Sequence, residues 1–125
     1  MIGSEERAAV DRVQMNSREL ETLFARTNLT RRGIFVFTTE PGADGATVYS
    51  RMVGANGFED PATGSACANL GGWHLARGQA PVSATLHQGE AVGRPSRLGL
   101  RVDADGGIYV TGAVIELGRG AVAVG

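Results

Sequence analysis

The sequence contains no lysine: all twelve of its basic residues are arginine. A lysine Schiff base and a lysine nucleophile are therefore excluded. There is one cysteine, Cys67, which rules out a disulfide framework and any metal site built from several cysteines. The two histidines, His74 and His87, lack the paired spacing of metal ligands, so no metal is expected. Neither sign of charge is concentrated. The net charge is −1, the arginines are scattered, and Arg31-Arg32 is the only adjacent pair. Without a basic stripe, a nucleic-acid partner is not expected. The first residues, Met1 to Val13, contain no apolar run, so neither a signal peptide nor a membrane segment is expected. A cytoplasmic protein with no membrane partner is the default expectation.

Glycine, by contrast, is abundant. The 19 glycines among 125 residues are about twice the usual ~7%. They are spread without a fixed period, as corners between many short strands would require. The length suits one domain with a real core.

The stretch Gly57–Gly78, GFEDPATGSACANLGGWHLARG, has no charge between Asp60 and His74. Pro61 suits the first position of a helix and Asp60 the N-cap before it. The spacing predicts a helix over Pro61–Ala76, stopped by Gly78. A helix without a charged face is normally enclosed by other elements, and this one is too short and too polar to span a membrane. Its N-terminus offers free N–H groups and the positive end of the helix dipole, to which Thr63 and Ser65 add hydroxyls. Gly64 allows close backbone approach. Two readings stand at this point: a plain cap at Asp60, or an anion site at the helix mouth.

The flanking segments divide at about residue 30. Residues 1–30 form an N-terminal segment with a short surface helix, Arg18–Arg26, capped at Asn16 or Ser17; Leu20, Leu23 and Phe24 give it an apolar stripe. Residues 31–125 form a single unit. Strands are predicted at Ile34–Thr39 and Thr47–Val53, joined by Pro41-Gly42 and Asp44-Gly45 turn chemistry. In the second strand Val48, Ser50 and Met52 share one face, and Tyr49, Arg51 and Val53 the other. Further strands follow at Val82–Gln88, Arg97–Val102, Ile108–Thr111, Ala113–Leu117 and Ala121–Val124. Together they predict an α+β fold in which a curved, mostly antiparallel sheet, a partly closed barrel, wraps around one central apolar helix.

Arg51 ends its strand near the helix mouth, where it either reaches an anion or pairs with a neighbouring acid. His74 reads as a core or rim residue. A site role for His87 is possible but unforced by its neighbours. Asp103 and Asp105 flank a solvated turn. Gly118 and Gly120 are not a dinucleotide fingerprint, because no helix follows them.

The string Arg51-Met52-Val53 to Glu59-Asp60-Pro61-Ala62-Thr63-Gly64-Ser65-Ala66 resembles the signature of the PhzF-like (phenazine biosynthesis) isomerase family. Gln88-Gly89 with Arg94-Pro95, and Gly112-Ala113, resemble later blocks of that family. The resemblance runs from about Gly33 to Gly125. It implies the diaminopimelate-epimerase-like fold, in which two similar lobes, each a curved sheet around a helix, enclose the site. It also implies cofactor-free acid–base proton transfer on a small carboxylate metabolite, with Asp60 catalytic and the Gly64-Ser65 turn holding the substrate anion; the helix-mouth reading adds Thr63 and Arg51 as candidate substrate contacts. Related epimerases carry a catalytic cysteine where this chain has Thr63, so two-cysteine racemisation is not implied, and Cys67 lies a turn too far along. Only the second lobe of the family is matched, and no counterpart of the first lobe's catalytic glutamate is present. A separately encoded partner lobe or a homodimer mate is therefore expected. The other reading is a non-catalytic module of the same fold that binds a small anion or a protein.

Overall fold

A computed structural model gives the fold and describes residues 1–27, 33–54 and 57–124. The Arg31-Arg32 pair and part of the loop before Gly57 lie outside the described residues. The elements run β1 (Ile2–Ser4), α1 (Arg7–Asp11), α2 (Ser17–Thr27), β2 (Gly33–Thr38), β3 (Val48–Gly54), β4 (Glu59–Asp60), α3 (Gly64–Leu75), β5 (Val82–Gln88), β6 (Ser96–Val102) and β7 (Ile108–Gly112).

The strands form one mixed sheet in the order β1-β2-β3-β5-β6-β7, with β4 also on β3. The β1–β2 and β3–β5 pairs are parallel and the others antiparallel. One edge of β3 is divided between two partners. Val48 to Ser50 pair with Leu86 to Gln88, and Met52 and Val53 then pair with Asp60 and Glu59. Asp60 thus comes to lie just beyond the end of β5.

At β2 both faces of the sheet are covered, which explains why Ile34-Phe35-Val36-Phe37 is an unbroken apolar run. Phe35 and Phe37 point to one face and join Val48, Ala66, Cys67, Leu70, Leu86, Leu100 and Val102 in the main core. Val36 and Tyr49 point to the other face, against Val10 of α1. Leu20 and Phe24 of α2 pack with Met15 and Ile34. The split predicted for the second strand holds, with Val48 and Met52 on the α3 face and Tyr49 opposite.

The sheet is open rather than a partly closed barrel, because β1 and β7 end it without meeting. Nor is α3 enclosed. It lies on one face, against β5, β6 and β7, and buries only Ala66, Cys67, Leu70 and Gly71. Its outer side consists of Gly64, Ser65, Ala68, Asn69 and Gly72, which are exposed or half-buried. The missing charge thus reflects small and neutral residues on an open face, not envelopment. Gly71 allows the close seat on the sheet: a Cβ there would fall 2.8 Å from the Ile108 side chain.

Two further expectations change. The helix begins at Gly64 rather than Pro61, because Asp60 is held in strand pairing. The strands expected at Ala113–Leu117 and Ala121–Val124 do not form. Residues 113–124 are exposed and without regular structure, their apolar side chains facing no neighbouring strand. No helix among the described residues is long and apolar enough to cross a membrane.

Cys67 is fully buried, and burial pushes its thiol up to about 11 from an ordinary 9.0. The native state therefore favours the neutral thiol. Its stabilising effect is complete below pH 9 and is lost as pH rises from 9 towards 11, where the unfolded thiol ionises first. Urea unfolding midpoints measured across that range are expected to fall. At neutral pH the native chain is expected to resist thiol reagents that label the unfolded chain rapidly.

Candidate active site

The segment between β4 and α3 is held from three sides. Buried Gln88 donates its side-chain amide to the Asp60 carbonyl at 2.7 Å and to Thr63 Oγ1 at 2.9 Å. The Ser96 hydroxyl lies 2.6 Å from the Pro61 carbonyl, to which it donates. Gly89 lets the Pro61 and Arg94 carbonyls approach: it has φ +87°, and a Cβ there would sit 2.8 Å and 2.3 Å from those oxygens. Only glycine meets both demands cheaply. These contacts give a physical reason for the Gln88-Gly89 and Arg94-Pro95 block.

Asp60 is not the helix N-cap. Its Oδ2 accepts the Thr63 hydroxyl at 2.9 Å, and its Oδ1 accepts the Ala62 N–H at 3.3 Å. Thr63 occupies the N-cap position but makes no side-chain capping bond. The amides that such a cap would cover, at Ser65 and Ala66, are consequently left without it, and Gly64 and Ser65 at the helix start are exposed. Beside them opens a cleft of about 300 Å³ lined by Met1, Gly33, Phe35, Met52, Ser65, Ala66 and Asn69. Ser65 and Asn69, one turn apart on α3, give it a polar wall. Phe35 and Met52 give it an apolar one.

The structure therefore brings Asp60 and Thr63 into direct contact and sets Gly64 and Ser65 next to them. Of these four, Ser65 is on the cleft wall. Arg51 lies elsewhere, on the α1 face of β3. It donates through Nε and Nη2 to Glu59 at 3.0 and 2.9 Å, and through Nη1 to the carbonyls of Val10, Asp11 and Val13 at 2.9–3.1 Å. All three guanidinium nitrogens are engaged, so Arg51 fastens the end of α1 to β3 and β4. The Glu59 carboxylate raises its already high affinity for a proton.

His74 sits at the helix rim, 2.7 Å from Gln79 Oε1. His87 belongs to a separate cleft on the α1 face, lined by Arg7, Asp11, Ala43, Asp44, Tyr49 and Glu90. Its ring nitrogens lie 2.5 Å from Asp44 and 3.1 Å from Glu90. The Ala46 N–H holds the Asp44 carboxyl below its ordinary value, with smaller help from His87 and Arg7. Burial and the Asp11 carboxylate raise the Tyr49 hydroxyl. Among the described residues no group of three or more His, Cys, Asp or Glu side chains is arranged to hold a metal ion. Gln88, Ser96 and Asn69 were not singled out as site residues from the sequence. For Gln88 the one signal was its place in the Gln88-Gly89 block.

The fold is an open α+β lobe with a cleft at the start of α3. The chain belongs to the phenazine biosynthesis-like (PhzC/PhzF) protein family, whose model matches residues 1–119. The match thus extends further towards the N-terminus than Gly33, in keeping with β1 joining the sheet and Arg51 securing α1. A 69-residue stretch is 51% identical to an uncharacterized isomerase of Pasteurella multocida, covering 54% of this chain and 24% of that protein. A predicted epimerase from Pseudomonas aeruginosa superimposes with a TM-score of 0.64 at 30% identity, over 95% of this chain and 40% of that one. A PhzC/PhzF protein from Clostridium difficile gives 0.67 at 21% identity, over 98% and 43%, and shares the fold. The chain thus spans about two-fifths of these structural relatives.

Replacing Arg51 by methionine would leave Glu59 charged, at 10% side-chain exposure, and three carbonyls without their donor. A stability loss of about 3 kcal/mol is expected. Arg51→Lys is expected to recover little of it, because an ammonium lacks the planar fork. Urea denaturation of the three proteins measures both effects.

Proposed function

We propose that this chain supplies half of a cofactor-independent isomerase site that moves a proton on a small carboxylate. The substrate carboxylate sits on the first-turn amides of α3 at Gly64 and Ser65, with the Ser65 hydroxyl as a further donor. Its body lies along Phe35 and Met52, and Asp60 gives and takes the proton. The observation that carries this reading is the Asp60–Thr63 bond. It draws the Thr63 hydroxyl away from the helix start, leaving amides open beside a held carboxylate. Family membership, the isomerase relative and the predicted epimerase support the same reaction class.

A second lobe completes the site in this proposal, because the family's reaction uses a glutamate from the other lobe. We propose a second copy of this chain, related by a two-fold axis, as that lobe. Sedimentation at micromolar concentration is expected to give twice the chain mass. A monomer would exclude the homodimer and leave a separate partner lobe.

Proton–deuterium exchange in heavy water, run over a set of small cyclic and aromatic carboxylic acids, tests the chemistry. The native chain is expected to exchange the α-proton of at least one acid, and Asp60→Asn to slow that exchange by about 100-fold or more. Ser65→Ala is expected to weaken binding of the same acid with less effect on turnover. Binding without exchange by the native chain would favour a non-catalytic anion-binding module instead.

A further inference from the structure

We infer that Gln88 is a positioning residue. Its buried amide fixes the direction of the Thr63 hydroxyl and, through it, the orientation of the Asp60 carboxylate. The inference gains its catalytic meaning from the role proposed above for Asp60.

The direction follows from which groups can donate. The Asp60 carbonyl only accepts, so the Gln88 atom 2.7 Å from it is the amide nitrogen and not the oxygen. The same nitrogen lies 2.9 Å from Thr63 Oγ1. Its two protons serve these two acceptors. Thr63 Oγ1 therefore accepts from Gln88, and its single proton is directed to Asp60 Oδ2 at 2.9 Å. The Ala62 N–H takes Oδ1. Both carboxylate oxygens are thus held, and the chain of donation runs one way, from Gln88 through Thr63 to Asp60.

Without the Gln88 amide, Thr63 has another use for its oxygen. A threonine at the N-cap readily accepts a first-turn amide of its own helix. That rotation would cover the donors at Ser65 and Ala66 and release Asp60. Gln88 thus decides between a capped helix with a loose carboxylate and an open helix with a held one. Its burial supports the assignment. Gln88 is 0% exposed, and its Oε1 has no partner among the described residues. A buried acceptor left unpaired is destabilising, so the benefit of the amide lies in its nitrogen.

Solution NMR of the full chain with labelled threonine and aspartate tests this without requiring turnover. In the native chain the Thr63 hydroxyl proton is expected to exchange slowly with solvent, and the Asp60 carboxylate carbon to shift in Thr63→Val. Gln88→Leu is expected to lower the hydroxyl protection by about tenfold, the size of one neutral hydrogen bond. It should also move the Asp60 signal in the same sense as Thr63→Val and add only a smaller change in the Thr63→Val background, where its bond to the Asp60 carbonyl alone is left to lose. Gln88→Met serves as a second variant should the leucine disturb folding. An Asp60 signal that responds to Thr63→Val but to neither Gln88 variant overturns the inference, as does an unprotected Thr63 hydroxyl in the native chain. A native chain that shows the coupling but exchanges no substrate proton sinks the proposed reaction alone.

Discussion

The hydrogen bond from Gln88 to the Asp60 carbonyl joins two elements that would otherwise only meet end to end. β3 lends the first half of one edge to β5 and the second half to β4. At the changeover Gln88 and Asp60 face each other along the same strand. The amide bridges the gap in the ladder, and the chain can then leave the sheet through Pro61 and start α3 three residues later. The position of the helix start, the exposure of its amides and the state of Thr63 all depend on that junction. Ser96 and Gly89 reinforce it from β6 and from the corner after β5.

Much of the sheet was legible because period-two alternation reports directly on which face a residue occupies. The Val48/Met52 and Tyr49/Arg51 division followed from that alone. The start of α3 was not legible. Asp60-Pro61 carries the chemistry of an N-cap followed by a first helical turn, and only long-range pairing with β3 moves the start to Gly64. The enclosed helix was misjudged for a related reason. Lack of charge in a helix reads as burial, whereas glycine, serine, alanine and asparagine cover an open face without any charge.

The last strands failed for want of a neighbour. Ala113–Leu117 has suitable residues, but the chain leaves β7 without folding back onto its open edge, so the segment gains no strand partner among the described residues. Gln88 was hidden because a glutamine at a strand end carries no periodic signal and its partner lies 28 residues away. For Arg51 the local sequence allows either an anion or a neighbouring acid as partner. Strand alternation already placed it on the Tyr49 face, away from α3, and that parity decides the matter once α3 is known to lie on the Val48 face.

The two ends of the sheet differ in what they offer to another chain. β1 has three residues and runs parallel to its neighbour, so it is a short template. β7 has five, all exposed, with Ile108, Tyr109 and Val110 among them. Its outer row of backbone donors and acceptors is unpaired among the described strands. Any lengthening of the sheet is therefore polar: it proceeds from β7, in the hydrogen-bonding direction away from β6, while the β1 end limits growth by its brevity.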